Sequence, residues 1–282
     1  MNSILSLFKI KHYIKNLVVF VPVLFSEYRY DYHYYGELII VFLSFCLMAS
    51  IVYLVNDIHD IREDVAHPLK RNRPIASGRV SLQLAKVLLV GLFTLSVGLS
   101  FFIKNSCAII LWFYFVLNLC YTFGLKNFKY IDLCCIATGF ILRGLVGFYV
   151  LNSRPDWMIL IMIFVTSIFF TASKRLLENH LLKNKQKSRI SRQRLKPEIV
   201  ERIICISGFL AIACYSCVAI KYSASRPYLY LTIIPFCLLI CRLYCLVGKP
   251  QNHDDLMIFI EKDPFIFLNI GFFTAIIVII CL

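Results

Sequence analysis

Eight apolar stretches of close to membrane-spanning length punctuate this chain, and that feature decides what it can fold into. They are Glu37–Val55, Leu84–Ile103, Ser106–Leu125, Ile131–Leu151, Asp156–Ala172, Glu201–Tyr222, Pro227–Val247 and Pro264–Leu282. A helix rises about 1.5 Å per residue, so about 20 residues cross the hydrocarbon core of a bilayer. A weaker segment, Ile14–Ser26, precedes them and makes nine. Composition agrees: 60% of the residues are hydrophobic and 16% charged, against about 45–50% and about 25% in soluble domains. Disorder, a collagenous fibre and a secreted disulfide scaffold are excluded. The expected architecture is all-α, a polytopic membrane bundle of nine helices formed by residues 1–282 as one domain. Its partner is the lipid bilayer rather than nucleic acid, and self-association stays open.

The net charge of +14 tests the count. With the N-terminus in the cytoplasm, nine helices place 23 of the 30 lysines and arginines on that side, the bias expected of cytoplasmic loops. Removing the first segment scrambles the pattern. The twelve cysteines are scattered, many in apolar runs. Cys214 and Cys217 form a lone C-x-x-C without the second ligand pair that a zinc site needs.

The two long polar segments, about 56–83 and 173–200, both fall on the cytoplasmic side and are the expected catalytic loops. In the first, the second apolar helix runs into Asn56-Asp57-Ile58-His59-Asp60-Ile61-Arg62-Glu63-Asp64. If the helix continues, Asn56, Asp60 and Asp64 project from one side, drifting by about 40° per step. Oxygen ligands at a membrane–water boundary suit Mg²⁺, a hard cation that often also binds substrate phosphates. A lone D-x-x-D is usually a solvated helix end. Here Lys70 and Arg73 follow closely, a point charge and a planar fork suited to phosphate, with Pro74 and Gly78 turning the chain. His59 and His67 lack partners for a transition-metal site.

The pattern Asn56-Asp57-x-x-Asp60-x-x-x-Asp64, then Lys70-x-x-Arg73-Pro74, resembles the first aspartate-rich motif of the UbiA superfamily of intramembrane prenyltransferases. That resemblance implies nine transmembrane helices and Mg²⁺ held by Asp57, Asp60 and Asp64, with Asn56, against the diphosphate of a donor. The second polar segment departs from the prenyltransferase pattern. It carries Ser173-Lys174-Arg175-Leu176-Leu177-Glu178 and has no Asp between positions 157 and 253. Lys-Arg-x-x-Glu at this place resembles the decaprenyl-phosphate phosphoribosyltransferase branch, as do Lys15-Asn16-Leu17-Val18-Val19-Phe20-Val21-Pro22, Tyr121-Thr122-x-x-Leu125-Lys126, Asp132 and Arg143.

The branch implies a transferase of cell-envelope biosynthesis in a bacterial inner membrane, using phosphoribosyl diphosphate as donor and a polyprenyl phosphate as acceptor. Asp57, Asp60 and Asp64 are then the catalytic metal ligands. Lys15, Asn16, Asn56, Lys70, Arg73, Tyr121, Lys126, Lys174, Arg175 and Glu178 are the expected substrate contacts. The competing enzyme reading is transfer of an isoprenoid to an aromatic or other acceptor. A transporter predicts ionisable groups near the bilayer midplane, where only Arg143 and Arg242 fall.

Overall fold

The computed structural model describes residues 6–27, 31–66, 70–183, 195–249, 256 and 262–281. Among the described residues all regular structure is helical. An 11-residue 3-10 helix, Ile10–Phe20, leads into α1 (Val21–Phe25), α2 (Tyr32–His59) and the short α3 (Ile61–Ala66). The chain continues through α4 (Leu82–Ser100), α5 (Asn105–Phe123), α6 (Lys129–Val150), α7 (Trp157–Lys183), α8 (Pro197–Ser223), α9 (Ile233–Val247) and α10 (Pro264–Cys281). His67, Pro68, Leu69 and residues 184–194, within the two polar segments, lie outside the described residues.

Seven helical stretches among the described residues are long and apolar enough to cross a membrane: α2, α4, α5, α6, α7, α8 and the stretch Leu229–Val247 that contains α9. The protein is thus a multi-pass membrane protein. Large apolar side chains such as Val87 of α4 and Phe209 of α8 stand more than 60% exposed on these helices, as lipid-facing positions must.

The nine-helix expectation departs from this count at both ends. α10 is apolar but shorter than the seven spans. The segment Ile14–Ser26 is 3-10 helix through Phe20 and α-helix only from Val21. Pro22 explains the change. It has no N–H to return to the Val18 carbonyl and its ring crowds that carbonyl in an α-helix, so Val21 N–H donates to Val18 instead. The polar segments differ too: residues 173–183 continue α7, and 61–66 form α3, so much of each expected loop is helical.

The chain packs as two compact units, residues 1–126 with 142–155, and residues 127–141 with 156–282. In the first, Phe45, Met48 and Ile51 of α2 form a core with Val19, Leu111, Tyr114 and Val146. The N-terminal segment lies tight in this core. Gly147 of α6 is the contact point, where a Cβ would collide with the Val19 carbonyl and the Pro22 ring. In the second unit, Phe169 and Leu176 of α7 pack with Ile204 of α8, Leu243 of α9 and Ile266 of α10. Gly208 of α8 admits the Phe169 ring, which would stand 3.2 Å from a Cβ there.

Candidate active site

In the first unit, the acidic motif sits where α2 ends. Asp60 leaves α-helical geometry (φ −92°, ψ 11°), yet the hydrogen-bond ladder crosses the break. Asp60 N–H donates to Asn56 O at 2.9 Å and Asp64 N–H to Asp60 O at 2.8 Å. Seven residues are nearly two whole turns, so Asp57 and Asp64 return to one face with little drift. One nitrogen meets both: Arg73 Nη1 donates to Asp57 Oδ1 at 3.0 Å and to Asp64 Oδ2 at 2.7 Å. Asp60 turns elsewhere. Its Oδ1 accepts from Lys126 Nζ at 2.5 Å, beside His59 Nδ1 at 2.8 Å. The His59 ring in turn meets Phe123 edge-on, with centroids 5.1 Å apart.

Arg73 is placed by a compact turn. Its N–H donates to Lys70 O and its carbonyl accepts from Ser77 N–H, both at 2.9 Å. Pro74 and Ile75 anchor the turn in the interior, and Gly78 takes the left-handed φ of 73° that closes it. Lys70 is half-buried and acts on Asp64 electrostatically.

Lys9 completes the cluster. Its Nζ donates to Asp57 Oδ1 at 2.8 Å and lies 4.8 Å from the centre of the Tyr53 ring. No motif in the sequence singles out Lys9. Forty-eight residues separate it from Asp57, and no periodicity links positions so far apart.

These surroundings move the ionisations in different directions. Burial pushes the Lys9 ammonium below its usual value, overriding Asp57. Burial also raises the Asp64 carboxyl, outweighing Arg73. At Asp60 burial acts upward as well, but Lys126 and His59 together hold the carboxyl below its usual range.

The three carboxylates therefore stand on cations rather than on one another, and among the described residues no three acidic, histidine or cysteine side chains converge as a ready metal site. This differs from the expected ligand set of Asp57, Asp60 and Asp64. The chemistry still fits a hard divalent ion. The donors are all oxygen, and Asp57 Oδ2 is buried without a hydrogen-bond partner, an oxygen that a cation would satisfy.

The other expected residues of the first unit sit as follows. Asn56 and Tyr121 are half-buried at the ends of α2 and α5, and Lys15 is half-buried in the 3-10 helix. Asn16 is buried, and its amide joins a polar network at the core. Its Oδ1 accepts from Arg143 Nε at 2.7 Å and its Nδ2 donates to Cys46 Sγ at 3.2 Å. Arg143 Nη2 donates to Tyr114 Oη at 2.7 Å, and the guanidinium lies 4.5 Å from the Tyr114 ring centre.

In the second unit Arg175 uses its whole fork. Nε and Nη2 donate to the two oxygens of Asp132, each at 2.8 Å, and Nη1 donates to Glu178 Oε2 at 2.9 Å. Arg175 thus meets Glu178 three residues on, and Lys174 is half-buried beside it.

The family model described as the UbiA prenyltransferase family matches residues 19–271. Decaprenyl-phosphate phosphoribosyltransferase of Mycolicibacterium smegmatis is 30% identical over 263 residues, covering 86% of this chain and 82% of that protein. The protein of the same name from Corynebacterium glutamicum is 29% identical over 242 residues, covering 82% and 73%. Among solved structures, a UbiA homolog from Archaeoglobus fulgidus bound to DMAPP and Mg²⁺ superposes with a TM-score of 0.71. It covers 99% of this chain and 100% of its own at 14% identity, a likeness of fold.

Proposed function

The chain belongs to the UbiA prenyltransferase family, and within it we propose that the protein transfers 5-phosphoribose from phosphoribosyl diphosphate to a polyprenyl phosphate, such as decaprenyl phosphate, with Mg²⁺. The observation that carries this reading is 30% identity, across 86% of the chain, to a protein named as a decaprenyl-phosphate phosphoribosyltransferase. The substitution of Lys174, Arg175 and Glu178 for a second aspartate-rich motif points the same way, because this donor and acceptor bring more phosphate than an isoprenoid diphosphate does.

An acceptor phosphate oxygen attacks the anomeric carbon in line. The new C–O bond forms as the bond to diphosphate breaks, with inversion and release of diphosphate. The acceptor is already ionised near neutral pH, so the protein supplies position and charge rather than a strong base. Asp57, Asp60 and Asp64, with Asn56, would hold Mg²⁺ directly or through water, and the ion would there supply neutralisation of charge on the leaving diphosphate. Lys70, Arg73 and Lys126 bind the diphosphate oxygens, with Lys15 and Tyr121 as further substrate contacts. Asn16 positions the N-terminal segment through Arg143. In the second unit Lys174 binds a substrate phosphate, while Arg175 fixes the carboxylates of Asp132 and Glu178.

The whole chain serves as one transferase domain with nine crossings, the N-terminus cytoplasmic, in a bacterial plasma membrane. Two observations support the first crossing. The 3-10 helix and α1 together rise about 30 Å at about 2.0 and 1.5 Å per residue, and the distribution of lysine and arginine favours it.

The test incubates membranes with labelled phosphoribosyl diphosphate, polyprenyl phosphate and Mg²⁺. A labelled product extractable into organic solvent is expected, and Asp60→Asn abolishes it while the protein still inserts. Product only from an isoprenyl diphosphate and an aromatic acid overturns the reading.

A further inference from the structure

Lys9 is held in an unusual way. Its backbone is left-handed, φ 49° and ψ 47°, a conformation that a lysine seldom adopts and that surrounding contacts must enforce. Those contacts are plain. Tyr13 Oη and Ser50 Oγ are 2.6 Å apart, Asn16 is bonded to Arg143, and Val19 lies against Gly147. The segment is therefore pinned to the bundle, and only the four-carbon stem of Lys9 can swing. The ammonium it carries sits on Asp57, whose other oxygen is buried and unpartnered.

Each carboxylate around it is already engaged by a cation. Lys9 and Arg73 meet Asp57, Arg73 also meets Asp64, Lys126 meets Asp60, and Lys70 acts on Asp64. A divalent cation arriving alone at the open Asp57 oxygen stands beside Lys9 and Arg73 with no new anion to answer its charge. A diphosphate arriving alone meets the carboxylates themselves. When both enter, the carboxylates pass to the metal and the freed cations pass to phosphate oxygens. Every charge then keeps a partner.

We propose that Lys9 is an internal counter-ion on Asp57 that makes a divalent metal and a diphosphate bind as one unit, its ammonium passing from the carboxylate to a phosphate oxygen as they enter. This rests on the reading of the acidic cluster as a metal–diphosphate site. Lys9 acts here as a binding and positioning residue that sets the order in which ligands load.

The experiment uses the full chain in lipid nanodiscs without acceptor. Mn²⁺ binding is followed by electron paramagnetic resonance, and labelled pyrophosphate by equilibrium dialysis against empty nanodiscs. In the natural sequence, Mn²⁺ should tighten pyrophosphate binding by at least about tenfold. Lys9→Met should bind Mn²⁺ alone at least about fivefold more tightly and lose most of the coupling, whereas Lys9→Arg keeps it. If Lys9→Met does not fold, Lys9→Gln carries the same expectation. Coupling that is absent in the natural sequence, or that persists unchanged without the Lys9 charge, overturns the proposal. No pyrophosphate binding at any Mn²⁺ concentration instead overturns the reading of the site.

Discussion

The network joining Asn16, Arg143, Tyr114 and Cys46 offers a measurable test of what secures the N-terminal segment. Asn16→Leu keeps approximate volume but removes the acceptor of Arg143 Nε, a bond of 2.7 Å at a site only 1% exposed on the Asn16 side and 5% on the Arg143 side. A hydrogen bond to a charged group contributes about 1.5–3 kcal/mol, and a buried group left without its partner pays its full desolvation cost. The guanidinium retains Tyr114 Oη and two ring contacts, so the expected loss is about 2–3 kcal/mol rather than the larger figure for a stranded charge. At about 2–4 °C per kcal/mol, that lowers the unfolding midpoint by roughly 4–12 °C. Heat unfolding in detergent, followed by circular dichroism, measures the shift. The decisive comparison is the double variant. Once Arg143→Met has removed the charge, Asn16→Leu should cost less than about 1 kcal/mol, because replacing both partners by apolar groups can be nearly neutral. Equal losses in the two backgrounds refute the argument, since the bond would then contribute nothing that packing does not.

Gly147→Ala should lower the unfolding midpoint by several degrees, because the new Cβ meets the Val19 carbonyl and Pro22 and overpacking costs about 1–3 kcal/mol. Gly271→Ala, with open space around it, should leave the midpoint unchanged or raise it. Arg175→Lys keeps the charge but cannot reproduce the two parallel bonds to Asp132 with a third to Glu178. Transfer activity should fall by at least about tenfold, a loss of about 1.4 kcal/mol in transition-state stabilisation, as measured by the organic-extraction assay. The pH response separates two carboxylates. Asp60, held low, contributes stability above its unfolded value that is lost as pH falls through its depressed folded value. Asp64, held high, has the opposite sign: its contribution is present below the unfolded value and lost as pH rises through the raised one. On acidification from neutrality Asp64 therefore protonates first, and Mn²⁺ binding should fall along that limb. Asp64→Asn should flatten it, and an unchanged limb would count against the assignment.

What the sequence made legible was set by solvents and spacing. Hydrocarbon thickness fixes how long an apolar run must be, so α2 and α4 through α10 were visible as runs. A carboxylate pattern at the end of one run marked the candidate site. The misreadings have equally physical causes. Val18, Val19, Phe20 and Val21 read as α-helix, but with a proline one residue later Val21 N–H bonds Val18 O in the 3-10 pattern. A step of four residues suggested Asn56, Asp60 and Asp64 as the shared face; the step of seven, nearer two whole turns, gave Asp57 and Asp64 to Arg73. Partners far apart in the chain left no local trace. Lys126 and Asp60 are 66 residues apart, Arg175 and Asp132 are 43 apart, and Arg143 and Asn16 are 127 apart. Such pairs obey packing, which a single sequence does not display.

The length of α2 also fixes the height of the proposed site. Its apolar run from Leu38 to Val55 rises about 27 Å, close to the ~30 Å of the hydrocarbon core. Polar residues begin with Asn56, so Asp57 stands less than one turn beyond that run, and Asp64 follows on the short α3 past the break at Asp60. That interval is the headgroup layer, a band about 5–7 Å deep on each side of the core, together with the first water above it. A lipid phosphate already resides there, and a soluble sugar diphosphate can reach it from solution. The acceptor need not be lifted from the bilayer, nor the donor drawn into it: the helix ends where the two substrates naturally meet.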